Sequence, residues 1–199
     1  MINIQGLFHL QKHGVCHRDL SLENILVDEN SKALVIDLGM CLRLPYNSPN
    51  GCDTVCDSTV GTLRKLVTPQ GQCGKPNYIS PEILQNTTFD GFSVDIWAAG
   101  IVLFIMLVGL PPFEWASMDD PRFRLICRGG LKQLVDQWQR PISLEAVDLL
   151  QQIFREDPRD RPSLFQIMQH PFLSKINNPY EDAVQVEQWR QQQLNMEHE

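Results

Sequence analysis

Three oxygen-bearing side chains stand where they could handle a phosphate and a divalent cation. Asp19 and Asn24 lie five positions apart in "HRDLSLENIL", on a loop that runs into a short β-branched segment. Asp37 opens "DLG" directly after a second such segment, eighteen positions beyond Asp19. If the two segments pair as a hairpin, their ends meet and Asp37 returns beside Asn24. Two oxygen ligands suit Mg²⁺, which takes few protein carboxylates and completes its shell with phosphate and water. Asp19 would then orient or deprotonate a hydroxyl. The chemistry is phosphoryl transfer, which consists largely of positioning groups and neutralising charge. Each piece alone has a plainer reading, since an Asp before a Gly is ordinarily a turn.

The elements that must hold these residues can be read from periodicity. Ile25 to Val27 and Leu34 to Ile36 are the paired segments, and "DENS" at 28–31 is their turn. Upstream, Ile4, Leu7, Phe8 and Leu10 form a helical stripe over residues 1–13 that Gly14 ends. Residues 44–76 are rich in Pro, Asn, Gly, Ser and Thr and predict a long loop. Helices follow at 81–85, 93–108 with Ser93 as N-cap, 121–128, 144–154 capped by Ser143, and 164–169 after Ser163. Ile96 to Leu110 carries no polar side chain but is shorter than the roughly 20 residues a membrane span needs. Asp95 before it and Pro111-Pro112 after it predict a buried core helix. The Gln- and Glu-rich stretch at 174–199, with Val184, Val186, Trp189 and Leu194, predicts a polar tail or a docking helix. The fold class expected is mainly α with a small β-hairpin.

Composition narrows the partners. The chain has 199 residues, 43% hydrophobic and 21% charged, a globular balance. A formal net charge of −7 argues against non-specific nucleic-acid binding, and no basic run suggests a membrane surface. The N-terminus has no cationic start or apolar core of a signal peptide, so a cytoplasmic protein with reduced thiols is expected. Of the six cysteines, Cys41, Cys52, Cys56 and Cys73 fall close together. Cys52-x-x-x-Cys56 has a loose metal-ligand spacing with no histidine nearby, and free thiols in an irregular loop are the plainer reading.

Taken in order, "HRDLSLEN", "DLG", "GKPNYISPE", "VDIWAAG" and "DPRDRP" resemble the motifs of the C-terminal lobe of a eukaryotic protein kinase of the serine/threonine type. The resemblance covers residues 1–173, with an activation segment at 37–82. It implies that Asp19 is the catalytic base and that Asn24 and Asp37 hold Mg²⁺. It places Glu23 and Leu26 on the ATP side, with Leu26 under the adenine. Arg18, beside His17, would pair with an activation-loop phosphate. Glu82 would form a buried salt bridge with Arg161, and Asp95 would cap the backbone at His17 and Arg18. The partners implied are ATP and a protein substrate.

The departures are as informative. No Gly-rich loop or strand lysine precedes His17, so the N-terminal lobe is absent from this chain and activity in isolation is doubtful. The hairpin, His17, Leu38 and the first helix, which such a lobe would cover, are expected to expose an apolar patch and to need a partner. Gly71 occupies the usual phosphate-acceptor position, which leaves Thr62 or Thr68 as candidates. Ser21 replaces the usual catalytic-loop lysine, while Lys75 replaces the usual threonine after Gly74. A hydroxyl and an ammonium look exchanged across the site, which would place Lys75 within about 4 Å of Asp19, at ion-pair distance. The plainer reading leaves Lys75 in solvent. Tyr78 and Glu23 favour serine or threonine over tyrosine as acceptor. Ile105 stands where an acid often reads basic substrates. The rival function is a non-catalytic, pseudokinase-like binding module; retained Asp19, Asn24 and Asp37 favour the enzyme. A small-molecule phosphotransferase fits the helix pattern less well.

Overall fold

A computed structural model of the chain describes residues 4–30, 32–44, 54–59 and 62–174. Helix α1 (Ile4–Lys12) leads through Gly14, in a left-handed conformation at φ +68°, into strand β1 (Val15–Cys16). Strands β2 (Ile25–Val27) and β3 (Ala33–Val35) pair antiparallel with Ile25 opposite Val35. The hairpin therefore brings its two ends together as the sequence required. Strand β4 (Leu42–Arg43) returns to β1.

The expected loop at 44–76 contains a second hairpin, β5 (Thr54–Thr59) and β6 (Thr62–Val67), paired with Thr54 opposite Val67. Its polar, Thr-rich strands have no apolar alternation to mark them, so the sequence reads as loop. Residue Val67 also exchanges backbone hydrogen bonds with Phe89 at 2.8 and 3.0 Å, which ties the hairpin to the lobe.

Helices α2 (Pro81–Leu84), α3 (Gly91–Val108), α4 (Pro121–Cys127), α5 (Leu131–Gln137), α6 (Leu144–Ile153), α7 (Leu164–Gln169) and α8 (Pro171–Ser174) complete the described fold. Helix α5 has no start signal in the sequence: its N-cap is Gly130, with no side-chain cap, whereas Asp120 and Pro121 mark the equally short α4. Helix α3 starts two residues earlier than expected. Its cap is Asp90, which accepts from the Phe92 and Ser93 amides, rather than Ser93. Ser93 lies inside the helix and is buried. Helix α3 is long and apolar enough to cross a membrane, but 78% of it is buried within the protein. Its Trp97 meets Phe113, Phe123 and Phe154, and its Phe104 meets Phe154, with ring centroids 5.4–6.4 Å apart, the offset and edge-on contacts that aromatic cores favour. Cys16, Leu42, Val67, Ile79, Ile83 and Phe89 belong to a second, smaller buried cluster.

The first helix is not part of an exposed patch. Leu7 and Phe8 are buried in the main core, and α1 packs against α7 and the hairpin base. The candidate metal residue Cys52 and the tail from 175 onward lie outside the described residues. Among the described residues Cys16, Cys41, Cys73 and Cys127 are free thiols, and no group of three or more His, Cys, Asp or Glu could hold a metal.

Candidate functional site

The loop from Cys16 to Asn24 is held by three independent ties. Arg18 adopts a left-handed φ of +68°, which costs energy for a side chain with a Cβ. The turn is retained because it aims two amides at one carboxylate. Asp95, rising from the first turns of α3, accepts from the His17 N–H at 2.6 Å and the Arg18 N–H at 2.8 Å. Burial pushes the Asp95 carboxyl up to about 7, against the lowering effect of these amides. His17 supplies the second tie. Its Nε2 sits 3.0 Å from the Ile36 carbonyl and its Nδ1 accepts from the Asp19 N–H at 3.3 Å, so the proton belongs on Nε2. His17 is buried, held on both faces by the lobe itself, and contributes nothing to an exposed patch. Asn24 is the third tie: its amide nitrogen donates to the Asp19 carbonyl at 2.7 Å and to Asp19 Oδ2 at 3.2 Å.

This arrangement decides what each oxygen can do. Asn24 spends its N–H donors on Asp19, which leaves its carbonyl oxygen as the ligand atom. The Ile36 amide donates to the Asn24 backbone carbonyl at 2.9 Å, so Asp37, the next residue, is delivered beside Asn24. Asp37 is exposed, left-handed at φ +63°, and accepts from the Gly39 N–H. An amide oxygen and an exposed carboxylate at adjacent strand ends fit a hard cation such as Mg²⁺. Asp19 Oδ2 faces Asn24, while Oδ1 is buried without a hydrogen-bond partner among the described residues.

The chain crosses over this loop at Gly74. Its φ is +98°, and a Cβ there would stand 3.0 Å from the Arg18 carbonyl oxygen and 3.7 Å from Asp19 Oδ1. Only glycine combines that conformation with so close a crossing. The next residue, Lys75, is thereby carried to the site. Its ammonium donates to Ser21 Oγ at 2.9 Å, pairs with Glu23 at 2.9 Å, and lies 3.9 Å from Asp19 Oδ2. The Lys75 pKa is raised, first by the hydrogen bond to Glu23 and also by the Asp19 charge, against some desolvation. Ser21 is fully buried. Lys75 is therefore not a solvent lysine.

The remaining predicted residues fall in different places. Leu26 is 51% exposed on the hairpin, with Val27, Leu34, Leu38 and Met40 also exposed around the hairpin and the "DLG" turn. Glu82 and Arg161 meet in a buried bidentate pair, both contacts 2.7 Å. The Arg161 guanidinium also donates to the Arg155, Glu156 and Ser93 carbonyls and lies 4.7 Å from the Trp97 ring centre. The Arg18 guanidinium stands 5.6 Å over Phe89, the residue paired with Val67, so Thr68 follows directly from that pairing. Thr62 is the first residue of β6. No sequence signal marks the Phe89 contact. None marks the Glu23–Lys75 pair either, since the resemblance implied a place for Glu23 on the ATP side.

Comparison with known proteins adds an independent finding. The protein kinase domain family matches residues 3–173. The chain is 34% identical over 176 residues to "Probable serine/threonine-protein kinase CCRP1" of Zea mays, covering 88% of this chain and 24% of that protein. It is 34% identical over 182 residues to "Serine/threonine-protein kinase PLK4" of Nematostella vectensis, covering 89% of this chain and 16% of that protein. The Drosophila willistoni protein of the same name is 29% identical over 174 residues, 86% of this chain and 19% of its own length. The chain thus spans a quarter or less of the length of these relatives.

Proposed function

Because the chain belongs to the protein kinase family, we propose that it is the C-terminal lobe of a serine/threonine kinase. Such a lobe transfers the ATP γ-phosphoryl group to a protein hydroxyl with Mg²⁺. The observation that carries this reading is the Asp19 carboxylate, tied by Asn24, with Asp95 and His17 fixing the loop around it. Asp19 takes the proton of the acceptor hydroxyl as its oxygen bonds to the γ-phosphorus and the bond to ADP breaks. Asn24 and Asp37 would hold Mg²⁺, which would neutralise phosphate charge. Leu26 lies under the adenine, and Arg18 receives an activation-loop phosphate, for which Thr68 is the better placed acceptor. Lys75, braced on Ser21, supplies at the transferring phosphate the charge that a catalytic-loop lysine would otherwise supply. The protein acts in the cytoplasm.

A second reading rests on the exposed Leu26, Val27, Leu34, Leu38 and Met40. Apolar surface of this kind marks a contact, and a partner of N-terminal-lobe type covers it. In a binding module that contact would be the whole function. Phosphoryl transfer from Mg-ATP separates the two, assayed on the chain joined to a family N-terminal lobe. The enzyme reading expects turnover that falls by about 10²–10⁴ in Asp19→Asn. It also expects a lower rate in Lys75→Thr and recovery in Ser21→Lys with Lys75→Thr. Nucleotide binding without any turnover would leave the binding module.

A further inference from the structure

An ammonium has three N–H donors and no acceptor. In Lys75 one donor goes to Ser21 Oγ and one to Glu23, each at 2.9 Å. The third is left for the side on which Asp19 lies, at 3.9 Å. The lysine stem is flexible, so a single contact would fix the position of the nitrogen but not the direction of its remaining donor. Two contacts fix both. Ser21 is buried and forms the inner wall. Glu23 is 72% exposed and forms the outer one.

From this geometry we propose that Glu23 is a positioning residue: it clamps Lys75 against Ser21, so that the third donor faces Asp19 and the transferring phosphate. The inference rests on the reading of Lys75 as the phosphate-side charge, and it reassigns Glu23 from the nucleotide to the lysine. Stability does not account for the pair. Ion pairs as exposed as this one contribute little to folding. Asp19 is a weaker rival anchor, because Asn24 already occupies its Oδ2 at 3.2 Å and the ammonium stands an ångström farther from it than from Glu23. The raised Lys75 pKa, caused first by Glu23, points the same way.

The test is the rate at which acetic anhydride acylates Lys75 in the intact chain at fixed pH, read by peptide mass spectrometry. Lys12, Lys32 and Lys132 serve as internal references. Removing the clamp in Glu23→Gln frees the amine, and Lys75 is acylated roughly two- to fivefold faster, the factor that corresponds to an exposed pair. Glu23→Asp, which keeps the carboxylate, restores part of the protection. Asp19→Asn changes the rate less than Glu23→Gln does. An unchanged rate in Glu23→Gln, a larger effect from Asp19→Asn, or an equal rise at all four lysines would each overturn the proposal. The assay needs neither ATP nor turnover. Its failure removes the role of Glu23 and leaves the kinase reading standing, while a failed phosphoryl transfer leaves the acylation result intact.

Discussion

Removing the Glu82 carboxylate tests how the short helix α2 is anchored to the rest of the fold. In Glu82→Ala the Arg161 guanidinium, 1% exposed, loses both 2.7 Å contacts and stays charged inside the protein. Breaking a buried pair from one side costs about 3–5 kcal/mol. Here the Arg155, Glu156 and Ser93 carbonyls and the Trp97 ring still surround the cation, so the lower end applies, about 3 kcal/mol. For a chain of this length each kcal/mol moves the melting temperature by about 2–4 °C, which gives a fall of about 6–12 °C. Glu82→Gln keeps one acceptor and falls less. Arg161→Met falls more, since it strands the carboxylate and also orphans the three carbonyls. Calorimetric melts of the three variants measure the order. A fall below about 2 °C in Glu82→Ala, or Arg161→Met milder than Glu82→Ala, would refute the reasoning.

Two further outcomes follow from the loop and the hairpin. Asp95 has a folded value near 7 against an ordinary 3.8, so the folded chain binds the extra proton between those limits. Its contribution to stability is therefore greatest below about pH 4 and is lost as pH rises toward 7. The slope reaches about 1.4 kcal/mol per pH unit in that window, and Asp95→Asn, which cannot titrate there, flattens it in denaturant titrations. Leu26, Val27 and Leu34 are 51%, 68% and 41% exposed on one hairpin, so the isolated chain should self-associate in sedimentation runs. The combined change Leu26→Ser, Val27→Thr, Leu34→Ser should restore a monomer, and a parent chain that is monomeric at high concentration would count against a contact surface there.

Sequence and structure agree where a local signal is tied to a spacing rule. Asp37 meets Asn24 because a hairpin must close its own ends, and Ser163 and Ser143 cap α7 and α6 because the first turn of each helix offers unpaired amides. The disagreements are equally physical. Ser93 looked like a cap because serine often is one, but Asp90 starts the helix three positions earlier and accepts from the Phe92 and Ser93 amides. The strands β5 and β6 show no apolar alternation in their sequence, and α5 opens on Gly130, with no polar cap residue to announce it. The sequence exchange of Ser21 with Lys75 pointed to their meeting, whereas Glu23 entered that cluster unannounced. A carboxylate on a surface loop has no pattern that names its partner.

The opening turns of α3 meet three other parts of the chain at once. Gly91 lies so close to Cys16 that a Cβ would come within 2.4 Å of its sulfur; Ser93 receives Arg161; Asp95 holds His17 and Arg18. One stretch of buried helix is thus the common datum from which strand β1, the His17–Asn24 loop and the Glu82 anchor are all measured. The base of the β2–β3 hairpin takes its bearing from it at one remove, through His17 on the Ile36 carbonyl and the Ile36 amide on Asn24. Only the exposed far end of the hairpin, around Asp28–Asn30, can accordingly vary in sequence without disturbing that base. A substitution in five residues of α3, by contrast, disturbs β1, the loop and the Glu82 anchor together. Tolerance to variation should therefore rise with distance from Gly91–Asp95 and from the hairpin base.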